Sequence, residues 1–209
     1  MDIISLENEA QSLERAAEVL KSGGVIVVPT DTVYGLLGKA ESVHAVKKMF
    51  AIKNRPAEKA FPIFVKDIAS ARLFAYISDR KEKFLEKVWP GQVTVVFDHK
   101  KKFPNVLTGG MQTIGMRMPD HPFVSDLLEQ VDFPLAQTSA NISSEPPAKN
   151  RAELEHYFLN AENAPDLVID GGEVGGQSSV VIDFTRDEPL VLRTGMITKE
   201  KLDQILKGF

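Results

Sequence analysis

The chain has 209 residues, of which 43% are hydrophobic and 26% are charged. This balance is typical of a globular protein and excludes a disordered or fibrous one. The net charge of −4 argues against strong non-specific binding to nucleic acid, and the absence of cysteine excludes disulfides and thiolate metal sites. Because α/β chains of this length commonly form one unit, we expect a single domain over residues 1–209.

The chain shows no sign of membrane targeting. Its N-terminus is acidic and lacks the basic start and apolar run of a signal peptide, and no apolar stretch approaches the length of a bilayer. We therefore expect a cytoplasmic protein without a membrane partner. The four histidines have no zinc-ligand spacing, so no metal held by protein side chains is predicted.

The first half of the chain alternates helical and strand patterns. Apolar residues at helical spacing predict a helix over 8–21, and the apolar run at 25–28 predicts a buried strand. A polar loop follows at 29–32, and Ser42 is placed to begin a second helix. This order indicates a strand-loop-helix unit.

The same alternation continues to the end of the chain. Further strands are predicted at 61–65, 94–97, 113–118, 134–138, 166–169, 179–184 and 189–193, and further helices at 67–75, 79–88, 121–131 and 198–207. Several strands follow one another with no helix between them. The sequence therefore predicts an α/β fold, with a twisted sheet of mixed strand directions flanked by helices and a concave ligand-binding face.

Three polar segments interrupt these elements, and each has a functional and a structural interpretation. The first, PTDTVYGL at 29–36, displays hydroxyls after a buried strand, although a capped turn explains it equally well. The second, KNRP at 53–56, brings Lys53 and Arg55 together with Lys59. Such cations suit a polyphosphate, or simply the C-terminal dipole of a helix.

The third segment, QTSANISS at 137–144, is a dense row of hydrogen-bonding side chains. Ser139 and Asn141 carry no charge but can orient phosphate oxygens or a sugar where cations supply the charge. A Ser/Asn helix cap is the alternative interpretation.

Two arginines, Arg117 and Arg193, lie at the ends of apolar strands. A buried arginine needs an anion or a paired acid, because an unpaired buried charge is costly. Asp120, Asp170 and Asp183 are candidates for internal partners. No GxxxxGK[ST] loop is present, and the glycines of 170–176 lead into a strand, so neither a P-loop nor a dinucleotide fingerprint is predicted.

Taken in order, the motifs of this chain resemble the YrdC family of L-threonylcarbamoyladenylate synthases from about residue 12 to residue 197. The matching elements are GGVIVVPTDTVYGL, KNRP, WPGQVTVVF, TIGMRMPDHP, TSANIS, SSVVID and LRTG. The resemblance implies that this family's KxR and SxN signature falls on Lys53, Arg55, Ser139 and Asn141, all of which are intact. A paralogous group with the same fold has a degraded KxR motif, so the intact Lys53 and Arg55 argue against placing this chain in that group.

The resemblance also implies residue roles and a reaction. It assigns ATP to the four signature residues together with Lys59, Thr113 and Arg193. It assigns threonine to Thr32, Arg117 and Ser179, with Tyr34 and Gln137 beside them. The implied reaction joins L-threonine, bicarbonate and ATP into threonylcarbamoyl-AMP and pyrophosphate, with Mg²⁺ carried by ATP. The product would pass to tRNA threonylcarbamoyl-transfer proteins for the t6A37 modification.

Two features differ from some members of that family. Phe64 stands where those members have a histidine, and the chain ends at Phe209 without their C-terminal extension, as in the short single-domain branch. The rival hypothesis is a non-catalytic protein of this fold that binds double-stranded RNA through a locally basic concave face. The acidic net charge counts against it.

Overall fold

Helices and strands interleave along the whole chain in the computed structural model, which describes residues 1–56, 58–195 and 197–207. The strands are β1 (Asp2–Ser5), β2 (Val25–Val28), β3 (Gly35–Lys39), β4 (Ile63–Phe64), β5 (Val93–Asp98), β6 (Thr113–Arg117), β7 (Leu135–Ser139), β8 (Leu167–Asp170), β9 (Val180–Asp183) and β10 (Leu190–Arg193). The helices are α1 (Glu9–Lys21), α2 (Val43–Lys53), α3 (Ile68–Phe74), α4 (Asp79–Val88), α5 (Asn105–Thr108), α6 (Pro122–Val131), α7 (Arg151–Phe158) and α8 (Lys199–Leu206).

The strands join into one sheet in the order β1-β8-β2-β3-β7-β4-β6-β5-β9-β10. Its strand directions are mixed: β8 pairs in parallel with β1 and β2, whereas β3 pairs antiparallel with both β2 and β7. The predicted α/β fold with a mixed sheet is confirmed. No helix in the described part of the chain is long and apolar enough to cross a membrane.

Alternation along the strands places two apolar clusters on opposite faces of the sheet. In β2, Val25 and Val27 belong to a large cluster under α2, α4 and α7, whereas Ile26 and Val28 belong to a second cluster under α1 and α6. This period of two is what a strand buried on both faces requires. The helices α1 and α6 cover their face around β8, β2 and β3, and the same face carries a groove over β6, β5 and β9.

Local sequence explains the ends of several helices. Ser42, Asp67 and Asn150 cap α2, α3 and α7 by accepting a backbone N–H of the first turn with their side chains. Asn54 ends α2 in the left-handed conformation, with φ of 48°. This sharp end separates Lys53, which points inward, from Arg55.

Some elements differ from the sequence predictions. The strands β1 and β3 and the helices α5 and α7 were not predicted, and only two residues of 61–65 form a strand. β3 carries two glycines, Gly35 and Gly38, and its pairing with β2 and β7 overrides their low strand propensity. The predicted strand-loop-helix unit is therefore two antiparallel strands followed by a helix.

Candidate functional site

A groove of about 260 Å³ lies on the open part of the sheet face that α1 and α6 partly cover. Four residues assigned from the sequence line it, from four different parts of the sheet: Thr113, Gln137, Ser179 and Arg193. Phe61, Pro62, Val96 and Val181 supply an apolar floor. The groove therefore combines apolar surface with a few convergent polar groups, as ligand sites do.

Arg193 and Ser179 form one polar cluster of this groove. The Arg193 guanidinium donates from Nε to the Ser179 carbonyl oxygen at 3.0 Å and from Nη2 to Ser179 Oγ at 3.3 Å. Ser179 Oγ also lies 2.9 Å from Thr94 Oγ1. Burial lowers the pKa of Arg193 from its ordinary value, but the group stays protonated. A fixed positive charge thus lies beside two hydroxyls.

Arg117 lies in a second, more deeply buried cluster. Its Nη2 pairs with Asp31 Oδ1 at 2.5 Å, its Nη1 donates to Thr32 Oγ1 at 3.2 Å, and its Nε donates to the Gly91 carbonyl at 2.9 Å. Burial lowers the pKa of Arg117, the nearby charge of Arg193 lowers it further, and Asp31 opposes both. A second positive charge is thus held between an aspartate and a threonine hydroxyl.

The sequence analysis named the wrong acids as internal partners of the arginines. Arg117 pairs with Asp31, whereas Asp170 accepts the Gly172 N–H and Asp183 accepts the Thr185 N–H. Asp31 was overlooked because the sequence does not show that the loop at 29–32 folds against Arg117. The available signal was an aspartate between two threonines in a loop directly after a buried strand.

Lys53, Ser139 and Asn141 form one hydrogen-bonded network. The Lys53 ammonium, whose residue is 2% exposed, donates to the carbonyl oxygens of Ser139 at 2.7 Å and Asn141 at 3.0 Å, and to Asn141 Oδ1 at 2.8 Å. Ser139 Oγ donates to the same Oδ1 at 2.7 Å. The KxR and SxN segments, distant in sequence, are thereby brought together.

Arg55 lies next to this network but has its own environment. Its Nε and Nη2 donate to the carbonyl oxygens of Lys59 and Ala60 at 3.1 and 3.0 Å, and its guanidinium carbon lies 5.0 Å from the centre of the Phe61 ring. Ala60 and Phe61 both line the groove. Since a guanidinium has five N–H groups, Arg55 keeps donors for a ligand at this end, where Lys59 is exposed.

Tyr34 holds the glycine-rich turn that precedes Ser179. The side chain is fully buried, and its hydroxyl donates to the Gly172 carbonyl at 2.8 Å and accepts from the Gly171 N–H at 3.0 Å. Burial raises the pKa of Tyr34, so the phenol stays neutral. The hydroxyl therefore anchors the glycine-rich turn that leads to Ser179.

The buried charge of Lys53 predicts a pH-dependent stability. Burial, with the nearby charge of Arg55, lowers the pKa of Lys53 from 10.5 to about 7. Between these two pH values the unfolded chain binds more protons than the folded one, so the free energy of unfolding rises with pH there. The slope is at most about 1.4 kcal/mol per pH unit, and the contribution is constant below about pH 7.

Urea unfolding of wild type and Lys53→Met at several pH values measures this effect. The difference in unfolding free energy between the two proteins should change in favour of the wild type as pH rises from about 7 to about 9. A difference that stays constant over this range would show that Lys53 does not titrate there.

The described residues hold no group of three or more His, Asp or Glu side chains placed to bind a metal ion. The polar groups of the site are instead cations, hydroxyls, an amide and backbone groups. Such a set suits anionic ligands, in particular phosphates and carboxylates.

Fold and site together define an α/β domain with a groove of cationic and hydroxyl groups on an open sheet face. The chain belongs to the Sua5/YciO/YrdC family, whose model carries the description "Telomere recombination" and matches residues 18–195. The resemblance drawn from the motifs is thereby confirmed at the level of the family.

Relatives in this family differ in length and in name. A protein of Pyrococcus abyssi named threonylcarbamoyl-AMP synthase is 34% identical over 201 residues, which are 95% of this chain and 58% of that protein. The chain thus spans less than two thirds of that relative. Escherichia coli K12 YciO, named an uncharacterized protein, is 31% identical over 193 residues, 91% of this chain and 92% of its own length.

The fold has a solved counterpart with a ligand. The crystal structure of P. abyssi Sua5 complexed with L-threonine superimposes with a TM-score of 0.90 at 32% identity, over 98% of this chain and 60% of that one. The mixed α/β sheet is thus shared with Sua5.

Proposed function

We propose that this chain is an L-threonylcarbamoyladenylate synthase, a nucleotidyltransferase that forms threonylcarbamoyl-AMP and pyrophosphate from L-threonine, bicarbonate and ATP. One observation carries the proposal: Thr113, Gln137, Ser179 and Arg193 line a single groove, and Arg55 bonds to its rim at Ala60. The names of several relatives support the same product.

The proposed chemistry has two steps. The threonine amine attacks bicarbonate, and loss of water leaves a carbamate. A carbamate oxygen then attacks the α-phosphorus of ATP, the bond between that phosphorus and the bridging oxygen to the β-phosphorus breaks, and pyrophosphate leaves with the electron pair. The labile product would be consumed by a tRNA threonylcarbamoyl-transfer protein.

The residues of the site would bind and orient the reactants without a covalent intermediate. Arg55, Lys59 and Arg193 would offset the charge that develops on pyrophosphate, since fixed positive groups are most effective in a partly dry site. Thr113 and the Ser139–Asn141 pair would orient the nucleotide. Mg²⁺ would enter on the phosphates of ATP, where it would neutralise further charge.

Arg117, which lies in its own cluster and does not line the groove, would hold the threonine carboxylate. A guanidinium can bind two carboxylate oxygens at once, and Arg117 is kept in place by Gly91 and Asp31. Thr32 and Ser179 would contact the rest of threonine, with Gln137 and Tyr34 nearby. The reacting amine would then face the nucleotide across the groove.

Replacement of Arg55 by alanine tests the nucleotide half of the proposal. We expect threonine-dependent pyrophosphate release to fall on the order of 10- to 100-fold, because one or two charge-assisted hydrogen bonds to phosphate are lost. Turnover is measured as pyrophosphate release at saturating threonine and bicarbonate.

The matched control is Arg151→Ala, which removes an arginine whose side chain is 58% exposed and pairs with Glu155 on α7. This variant should retain wild-type turnover. If Arg55→Ala also kept near-wild-type turnover, Arg55 would have no part in the mechanism.

A further inference from the structure

The Lys53 ammonium is hydrogen-bonded to the segment that contains Ser139 and Asn141. An ammonium has three N–H groups. The three acceptors of Lys53 are the carbonyl oxygens of Ser139 and Asn141 and the Asn141 side-chain oxygen, at 2.7, 3.0 and 2.8 Å. The donors of this lysine are therefore all used within the protein.

The backbone of Lys53 holds the same segment. Its carbonyl oxygen accepts the Ser143 N–H at 2.8 Å, so side chain and main chain bind opposite ends of residues 139–143. Asn141 continues the arrangement, because its amide nitrogen donates to the carbonyl oxygens of Ile142 at 3.0 Å and Glu145 at 2.5 Å. The shape of the segment 139–145 thus depends on one buried lysine.

A direct contact between Lys53 and a phosphate would disrupt this arrangement. The ammonium would have to leave at least one of its three acceptors, because it has no further N–H group to offer. A carbonyl oxygen left without its donor in the interior is costly. Arg55 is only half-buried and keeps free donors, so it can meet a phosphate without such losses.

We propose that Lys53 is a positioning residue, which holds the segment 139–145 in its nucleotide-binding shape, and that it does not itself contact the phosphates of ATP. The inference rests on the proposed function for the identity of the ligand and on the hydrogen bonds above for the role of Lys53. Within the KxR pair, Lys53 would then shape the site and Arg55 would contact the ligand.

Charge-conserving and charge-removing variants separate the two roles when compared below pH 7, where the Lys53 amine is protonated. Arg cannot deliver three donors to the single point that the Lys53 ammonium occupies, but it keeps the charge. We therefore expect Lys53→Arg and Lys53→Met to weaken ATP binding alike, by on the order of 10- to 100-fold in calorimetry. If Lys53→Arg bound ATP nearly as well as wild type while Lys53→Met did not, Lys53 would be a direct phosphate ligand.

Lys59 is the matched control, because it is exposed and belongs to the same cationic cluster. Its contribution would depend on charge, so Lys59→Met should bind ATP more weakly than Lys59→Arg, whereas the two variants at position 53 should bind it alike. The different patterns at positions 53 and 59 would distinguish a residue that shapes the segment 139–145 from a residue that acts only through its positive charge.

Hydrogen exchange on the nucleotide-free proteins tests the same inference without any ligand. The amides of 141–145, including that of Ser143, should exchange at least about 10-fold faster in Lys53→Arg than in wild type, since their support is lost. Unchanged exchange would overturn the inference. If the variants fail to fold, wild-type exchange decides: slow exchange of Ser143 both with and without ATP supports a preformed segment, and protection that appears only with ATP contradicts it.

These experiments also separate this inference from the proposed function. If wild type bound no ATP, the proposed function would fail at that step. The exchange comparison in nucleotide-free protein would still show whether Lys53 holds the segment.

Discussion

Arg117→Ala is expected to raise the threonine requirement by on the order of 100-fold or more and to destabilise the fold by about 3–5 kcal/mol. The two effects have different causes. Loss of the guanidinium removes the proposed carboxylate clamp, and it also leaves Asp31, whose side chain is 9% exposed, as a buried carboxylate without its cation. Calorimetry with threonine and urea unfolding measure the two effects separately.

The double variant Asp31→Asn with Arg117→Ala distinguishes the role in binding from the role in stability. It removes the unpaired Asp31 carboxylate together with the arginine, so most of the lost stability should return while threonine affinity stays low. Arg15→Ala, which removes a half-exposed arginine of α1, should change stability by less than about 1 kcal/mol. Wild-type threonine affinity in the double variant would remove Arg117 from the threonine site.

Gly176→Ala is the second substitution with a large expected effect. A Cβ at Gly176 would lie 1.7 Å from the Thr32 carbonyl oxygen, so the two segments would have to separate. Gly176 precedes Ser179 closely in sequence, and Thr32 bonds to Arg117. One methyl group should therefore displace both sides of the proposed threonine site and lower kcat/KM for threonine on the order of 100-fold, with about 1–3 kcal/mol of lost stability.

Gly175 provides an adjacent control. A Cβ at this position would meet nothing within 4 Å, so Gly175→Ala should keep kcat/KM within about threefold of wild type. Kinetics at varied threonine and thermal unfolding of the two variants measure the contrast. Equal behaviour of the two alanine variants would show that the contact between Gly176 and Thr32 has no role in the site.

The sequence predicted the fold class and most elements because their signals are local. The apolar run of β2, the cap at Ser42 and the helical spacing of α1 are visible within a few residues. β3 depends on neighbours that lie far away in sequence, such as β7. Its two glycines give no comparable local signal.

The candidate site shows the same division between local and distant information. The KxR and SxN segments stand out as polar interruptions, but no spacing rule shows that the Lys53 ammonium is enclosed by Ser139 and Asn141. Nor does it show that the Tyr34 hydroxyl bonds to Gly171 and Gly172. The sequence could name candidate residues, whereas the difference between contacting a ligand and shaping its site depends on contacts that only the folded structure brings together.

Pyrophosphate release from ATP by the wild-type protein, measured with and without L-threonine in the presence of bicarbonate, tests the proposed function most directly. We predict release that depends on both threonine and bicarbonate and that is lost when either is omitted. Release that is absent, or equal with and without threonine, would contradict the proposed synthase. If the protein instead bound double-stranded RNA in a salt-dependent manner and consumed no ATP with threonine, the rival hypothesis of a non-catalytic RNA-binding protein would be favoured.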